Sequence, residues 1–242
     1  MDFDFCDAKE EDFHGLKALL TGYLDSAEYA CSDLCDCIIK QKGVGTVVKT
    51  SDDDADPLGV TTVISLSLHK DENFVKDIKK YLLNKCPSKD KKAFEAIVND
   101  IGTGLIINER IINVPQETGQ PLMDGLFEEI RCAAKDAETA EARKSYEFKN
   151  YVLIGTLYEE DGEAEAPKDG KKRKKEQASM QRIFPRLEEE IMLESAKMSF
   201  EWQSSNESNE VAEFRPRRCC MVVEAKRVAD FLKEIQSLFE EL

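Results

Sequence analysis

Asn99-Asp100-Ile101-Gly102-Thr103-Gly104 is the stretch of this sequence that comes nearest to spelling out a chemistry. It lies within one residue of the glycine loop that holds the pyrophosphate of an acyl-coenzyme A. Such a loop works when a strand precedes it and a helix follows, because unpaired amides at the helix N-terminus then meet the phosphate oxygens. Here the order is reversed, an apolar helical pattern leading in and a β-branched run leading out, so the glycines are expected to end a helix. Cys31 and Cys35 stand one helical turn apart with Cys37 close by, a spacing that could serve a metal. No Cys-x-x-Cys pair occurs, and neither of the two histidines, His14 and His69, is near in sequence, so small side chains packed on a helix are the expected role. No Gly-x-Ser-x-Gly elbow or Walker loop is present, and nothing nominates a nucleophile. The expectation is no catalytic, cofactor-binding or metal-ligating residue.

Charge speaks more clearly. Aspartate and glutamate number 49 against 34 lysines and arginines, a formal net charge of −15. A surface of that sign repels nucleic-acid phosphates and suits a basic protein partner. Two acidic segments are candidates for contact with such a client: Asp52, Asp53, Asp54 and Asp56, and then Glu159, Glu160 and Asp161. Against that background Lys171, Lys172, Arg173, Lys174 and Lys175 form an uninterrupted cationic strip in a stretch with almost nothing apolar to bury. It is expected to serve an importin-type receptor as a nuclear localisation signal. Residues 159–179 cannot bury enough surface to offset their ordering entropy and are expected to be a flexible charged insertion loop. No run approaches the roughly 18 apolar residues of a membrane span, and the N-terminus lacks the features of a secretory signal. The chain is therefore expected to be soluble and intracellular, with its eight cysteines as free thiols.

Hydropathy periods supply the framework. Residues 104–115, Gly-Leu-Ile-Ile-Asn-Glu-Arg-Ile-Ile-Asn-Val-Pro, read as a buried central strand that bends or leaves the sheet at Glu109-Arg110. Before it, residues 2–6 alternate as a strand, Asp7 is expected to cap a helix with Leu16, Leu20 and Leu24 on one stripe, and Ser26 to cap a second carrying Leu34 and Ile38. Residues 44–49 and 58–68 read as a hairpin across the aspartate-rich turn, followed by helices carrying Phe74, Ile78 and Leu82, then Phe94, Ile97, Val98 and Ile101. After Pro115 one long helix is expected to about residue 142, then a strand over 146–158, a short helix at Leu187 and Ile191, strands over 196–202 and 218–223, and a C-terminal helix on Phe231 and Ile235. Adjacent strands imply hairpins and helix-separated ones allow crossovers. The expected architecture is thus α+β: one domain over 1–242, with a mixed, mostly antiparallel sheet covered by helices on both faces.

The combination of Asp2-Phe3-Asp4-Phe5, Gly43-Val44-Gly45-Thr46-Val47-Val48-Lys49 before an acidic turn, Gly59-Val60, Gly104-Leu105, Glu109-Arg110, Ile112-Asn113-Val114-Pro115 and the basic run after Tyr158 resembles the BCCIP family across nearly the whole chain. That resemblance implies a fold similar to the GNAT acetyltransferases without assured enzyme activity, and a nuclear adaptor that shuttles to the cytoplasm. Fungal members of the family chaperone a ribosomal protein of the large subunit and assist nuclear export of a lipid kinase. Animal members are linked to recombinational repair through a recombination mediator, and to cell-cycle control through a cyclin-dependent kinase inhibitor. The resemblance thus implies a non-enzymatic escort of a basic large-subunit ribosomal protein; with the charge balance and hydropathy above, no cofactor, no direct nucleic acid and no membrane are expected. The alternatives are a repair and cell-cycle scaffold or a GNAT-type acyltransferase, from which the chain departs at its reversed glycine motif.

Overall fold

The apolar run at the centre of the sequence is also the centre of the sheet. The computed structural model describes residues 2–51, 55–160, 182–205 and 214–240. In chain order the elements are β1 (Phe3–Cys6), α1 (Phe13–Leu20), α2 (Cys31–Lys40), β2 (Thr46–Thr50), β3 (Gly59–Ser65), α3 (Asn73–Lys85), α4 (Lys91–Val98), β4 (Thr103–Arg110), α5 (Gly119–Asp136), α6 (Ala140–Tyr146), β5 (Asn150–Glu160), β6 (Arg182–Ile183), α7 (Leu187–Glu194), β7 (Met198–Gln203), β8 (Phe214–Glu224) and α8 (Val228–Glu240). One eight-stranded sheet runs in the order β1-β2-β3-β4-β5-β8-β7, with β6 added on β5. β4 and β5 pair in parallel, as the two helices between them require, and the other pairs are antiparallel.

Alternation along the strands feeds two apolar layers, which is why both faces carry helices. Leu105 and Ile107 of β4 pack with α1 to α4 through Leu16, Leu34, Phe74 and Phe94. Ile106 faces the other way, toward Phe127 of α5, Met192 of α7 and Phe231 of α8.

The central pair does not stay together. β4 and β5 are in register only from Thr103 opposite Asn150 to Ile106 opposite Leu153. Beyond that, β4 continues against β3 as far as Arg110, and β5 against β8 as far as Glu160. The two strands part into a V whose open end lies toward Arg110 and Glu160.

Several boundaries differ from the sequence reading, some for a local capping reason and some for a tertiary one. Asp7 caps nothing; Lys9 precedes a 3-10 turn at Glu10–Asp12, and its amide donates to Asp12 Oδ2 (2.9 Å). Nor does Ser26 open the second helix, which starts at Cys31 with the Ala30 amide donating to Asp77 Oδ2 of α3 (3.1 Å). Asp25, at φ 56°, turns its carboxylate into the core, where Tyr81, Trp202 and Ser204 donate to it at 2.6, 3.2 and 2.8 Å. That buried acceptor holds the segment before α2 out of helix. The helix expected to reach 142 stops at Asp136, and α6 restarts with Thr139 Oγ1 accepting from the Ala142 amide (3.1 Å). Tyr146 therefore belongs to a helix, and Ile101, past the end of α4, is exposed. β5 runs on through Glu159 and Glu160, which the sequence assigned to the loop.

Candidate functional site

Sheet topology brings Asp56, Glu159 and Glu160, the described members of the two sequence-nominated acidic segments, to one end. β3 leaves the β2–β3 turn opposite Arg110, where β4 stops, and β5 runs parallel to β4 to Glu160. The turn bearing Asp56 and the end of β5 therefore share the open end of the V. The chain crosses between them at Ile111 and Ile112. The Ile111 amide donates to the Leu58 carbonyl (2.9 Å), which pins this crossing beside the acidic turn. Ile112 is 81% exposed, and Ile111 and Ile183 are also exposed. Six large hydrophobic side chains are exposed among the described residues, and these three lie at this end. Tyr158 and Pro185 join Ile111, Ile112 and Val114 around a recess of about 220 Å3. Clustered exposed apolar residues mark a contact surface more surely than scattered ones.

The nominated acids fare unequally there. Asp56 is exposed. Glu159 is spent within the fold, paired with Arg217 (3.2 Å) and Arg182 (3.9 Å). Glu160 closes β5 opposite Phe214. Asp52, Asp53, Asp54 and Asp161 lie outside the described residues, as do Lys171, Lys172, Arg173, Lys174 and Lys175.

Beneath the apolar rim the V is filled with charge. α7 points Glu188 and Glu189, both 1% exposed, between the parted strands. The Glu188 carboxylate accepts from both terminal guanidinium nitrogens of Arg110 (2.6 and 3.1 Å) and from Asn108 Nδ2 (2.9 Å). Glu189 takes the place of the missing β4 partner: its Oε2 accepts from the Thr156 amide of β5 (3.2 Å), and its Oε1 accepts from Arg186. Gly155 leaves the space, since a Cβ there would stand 2.7 Å from Glu189 Oε2. Arg186 also reaches Glu109 (3.0 Å), and Arg218 donates to Thr156 Oγ1 and to the Tyr23 carbonyl (both 2.7 Å).

Four carboxyls, of Asp25, Glu109, Glu188 and Glu189, thus face three guanidinium groups, of Arg110, Arg186 and Arg218. One proton would balance them, and Glu189 is the place for it. Burial, against the pull of Arg186, pushes its carboxyl up to about 7. Glu188 goes the other way: burial pushes its carboxyl up, but the charge and hydrogen bonds of Arg110 together with the hydrogen bonds of Asn108 and the backbone hold it below the usual carboxylate range. None of these residues was nominated by sequence, apart from the reading of Glu109-Arg110 as a polar corner. The strand does end there, but with its arginine turned inward.

The glycines and thiols fall elsewhere. Gly102 leads straight into β4 as the reversed order implied. Its amide donates to Asp100 Oδ1 (2.8 Å), and its carbonyl accepts from Lys149 and Asn150 (2.7 and 3.1 Å). Gly104 makes room for packing, because a Cβ would stand 2.7 Å from Val63 Cγ2. These groups are committed to starting the parallel pair. Cys31 and Cys35 lie on α2 as expected, and hydrogen bonding from Cys35 lowers the Cys31 thiol to about 6. Cys37 instead touches His69, with Sγ 3.7 Å from Nε2, in a cleft of about 700 Å3 that Tyr146 also lines. Burial raises that thiol to about 11, so it is not an ionised nucleophile at neutral pH. Among the described residues no group of three or more side chains could hold a metal ion, and no helix is long and apolar enough to cross a membrane.

Fold and site together define an α/β domain built on one open, mostly antiparallel sheet, with a self-neutralising charged interior under a partly apolar rim. The family model of BCCIP matches residues 1–192, and the chain belongs to the BCCIP family. It is 33% identical over 248 residues to the protein BCCIP homolog of Arabidopsis thaliana, covering 99% of this chain and 74% of that protein. With protein bcp1 of Aspergillus fumigatus it shares 35% over 205 residues, 79% of this chain and 67% of that one. The crystal structure of BCP1 from Saccharomyces cerevisiae has the same fold, with a TM-score of 0.70 at 21% identity, over 97% of this chain and 87% of that one.

Proposed function

We propose that this chain is a non-enzymatic nuclear adaptor that holds a basic protein of the large ribosomal subunit and escorts it between compartments. The contact surface in this reading is the open end of the V, where the β2–β3 turn carrying the exposed Asp56 adjoins an apolar knuckle at Ile111 and Ile112. The observation that carries it is the exposure of Ile112, next to Ile111, whose amide is held by the Leu58 carbonyl beside the turn that carries Asp56. Such a surface suits a cationic segment with apolar side chains: charge brings the client in and the isoleucines retain it. The importin-type receptor would read Lys171, Lys172, Arg173, Lys174 and Lys175, and replacing all five by alanine should shift the protein to the cytoplasm without unfolding it.

Against acyl transfer stands the filling of the V. The space between the parted strands holds Glu188, Glu189 and their arginines, and the glycine motif that would have to hold a coenzyme's pyrophosphate is committed to starting β4. Calorimetry with acetyl-coenzyme A should then give only heats of dilution.

The test of the adaptor is binding to purified basic large-subunit ribosomal proteins at physiological salt, with Ile111→Ala/Ile112→Ala and Asp56→Asn variants beside the unmodified chain. Selective binding that falls at least tenfold in the isoleucine variant supports the reading. Equal binding to unrelated proteins, or a nuclear-extract pull-down that recovers recombination factors and no ribosomal protein, rejects it.

A further inference from the structure

The outer side of α3 and α4 reverses the sign of the chain. Residues 70–92 contain eight lysines and four carboxylates, a surplus of four positive charges in a chain of net −15. Lys70, Lys76, Lys79, Lys80 and Lys91 line one shallow groove of about 660 Å3 with a single carboxylate, Asp71, at its edge. Lys76, Lys79 and Lys80 recur at three- and four-residue steps on α3, so their Cβ atoms stand roughly 5–6 Å apart on one side of the helix.

No ion pair among the described residues accounts for these cations. None of the five has a carboxylate within 4.0 Å among the described residues. Like charges at that helical spacing repel, at a few tenths of a kcal/mol per pair. Lys91 opens α4, whose first turn has no acid, and so sits at the end of the helix dipole where a cation is unfavourable. Two of the ammonium groups are nevertheless held in place by uncharged acceptors: Lys79 Nζ donates to Asn99 Oδ1 (3.2 Å) and Lys76 Nζ to the Asp71 carbonyl. Burial without a counter-charge lowers the Lys79 pKa. Position is fixed while charge is left unanswered, as in a site arranged for an anion from outside.

We propose that this groove binds a compact soluble polyphosphate, a ligand presenting several phosphate groups within about one helical turn. Compactness follows from screening. At physiological ionic strength charges act over about 8 Å, so a small ligand feels mainly the five lysines, whereas an extended polyanion such as RNA would lie over the acidic remainder. The groove is bounded by Lys70 and Asn99, in the turns that leave β3 and enter β4, at the end of the sheet opposite the proposed client surface. The two proposals therefore stand or fall separately.

The experiment is titration of the full chain with inositol hexakisphosphate and with inorganic tripolyphosphate, beside a Lys76→Gln/Lys79→Gln/Lys80→Gln variant and a control variant altered at Lys135 and Lys144. Saturable binding of one ligand per chain is expected, weakened at least tenfold in the groove variant and unchanged in the control. Thermal unfolding of the unliganded groove variant should match that of the unmodified chain, and if it does not, each lysine is exchanged singly and the titration repeated. Equal affinity in the groove and control variants overturns the proposal. So does an equal response to sulfate at matched ionic strength, or tighter binding of a 20-nucleotide RNA than of inositol hexakisphosphate.

Discussion

The V between β4 and β5 and the groove on α3 and α4 are both crowded with charge, and they resolve that crowding in opposite ways. In the V, carboxylates and guanidinium groups from β4, α7, β8 and two connecting segments meet largely out of water and neutralise one another down to a single proton. In the groove, ammonium groups from neighbouring positions stand at or near the surface with no counter-charge paired to them among the described residues, two of them on uncharged acceptors. The contrast separates charge that builds a structure from charge that awaits a partner. Breaking a desolvated ion pair leaves an uncompensated ion behind, while removing a solvated cation removes only what it attracts.

Breaking the V should therefore have the largest effect. Arg110→Ala strands the Glu188 carboxylate and is expected to cost about 3–5 kcal/mol in urea unfolding. The double exchange Arg110→Met/Glu188→Leu, which removes both charges, should be less destabilising than Arg110→Ala, because no ion is left unpaired. If it is worse, the network holds the strands by more than charge balance.

Next in size is a dependence on pH. Glu189 is raised from an ordinary 4.5 to about 7, so the folded chain binds a proton that the unfolded chain releases. The stability this lends is complete below about pH 4.5 and is lost as pH climbs through about 7. Over 2.5 units the change is about 3 kcal/mol at 1.36 kcal/mol per unit. Glu188, held low, is already ionised across that window and adds no slope of its own. Glu189→Gln should flatten the unfolding free energy between pH 5 and 7, and an unaltered slope would assign the proton to another group.

At the small end, Ile112→Ala and Lys79→Gln should each move stability by no more than about 0.5 kcal/mol, as surface changes do. A larger loss from Lys79→Gln would mean that its bond to Asn99 supports the fold, and would blur the distinction between the two regions.

The sequence disclosed whatever depends on neighbours along the chain. The stripe of α8 at Phe231 and Ile235 and the doubly buried run of β4 are local periodicities, and both lie where those periods put them. The groove is also local, eight lysines in 23 positions, but a lysine-rich connector reads as solvated surface until two helices fold side by side. The V was illegible for a different reason. Glu188 and Glu189 open a helix as acids commonly do, and only partners about 80 positions away, Asn108 and Arg110, turn them into interior residues. Asp25 is the same case, its carboxylate held by Tyr81 and, at far greater range, by Trp202 and Ser204. A periodicity has no term for a charge answered from across the molecule.

β5 shares four residues of pairing with β4 but eleven with β8, which enters from far downstream: Arg218 is 62 positions past the Thr156 it grips. A chain emerging from the ribosome at roughly 5–20 residues per second would leave the long flank of β5 without its neighbour for roughly 3–12 s. An unpaired, apolar strand edge is the kind of template on which polypeptides aggregate. Synthesis is thus the moment of greatest hazard for this molecule, and shortening the wait, by permuting the chain so that β8 directly follows β5, should raise its yield.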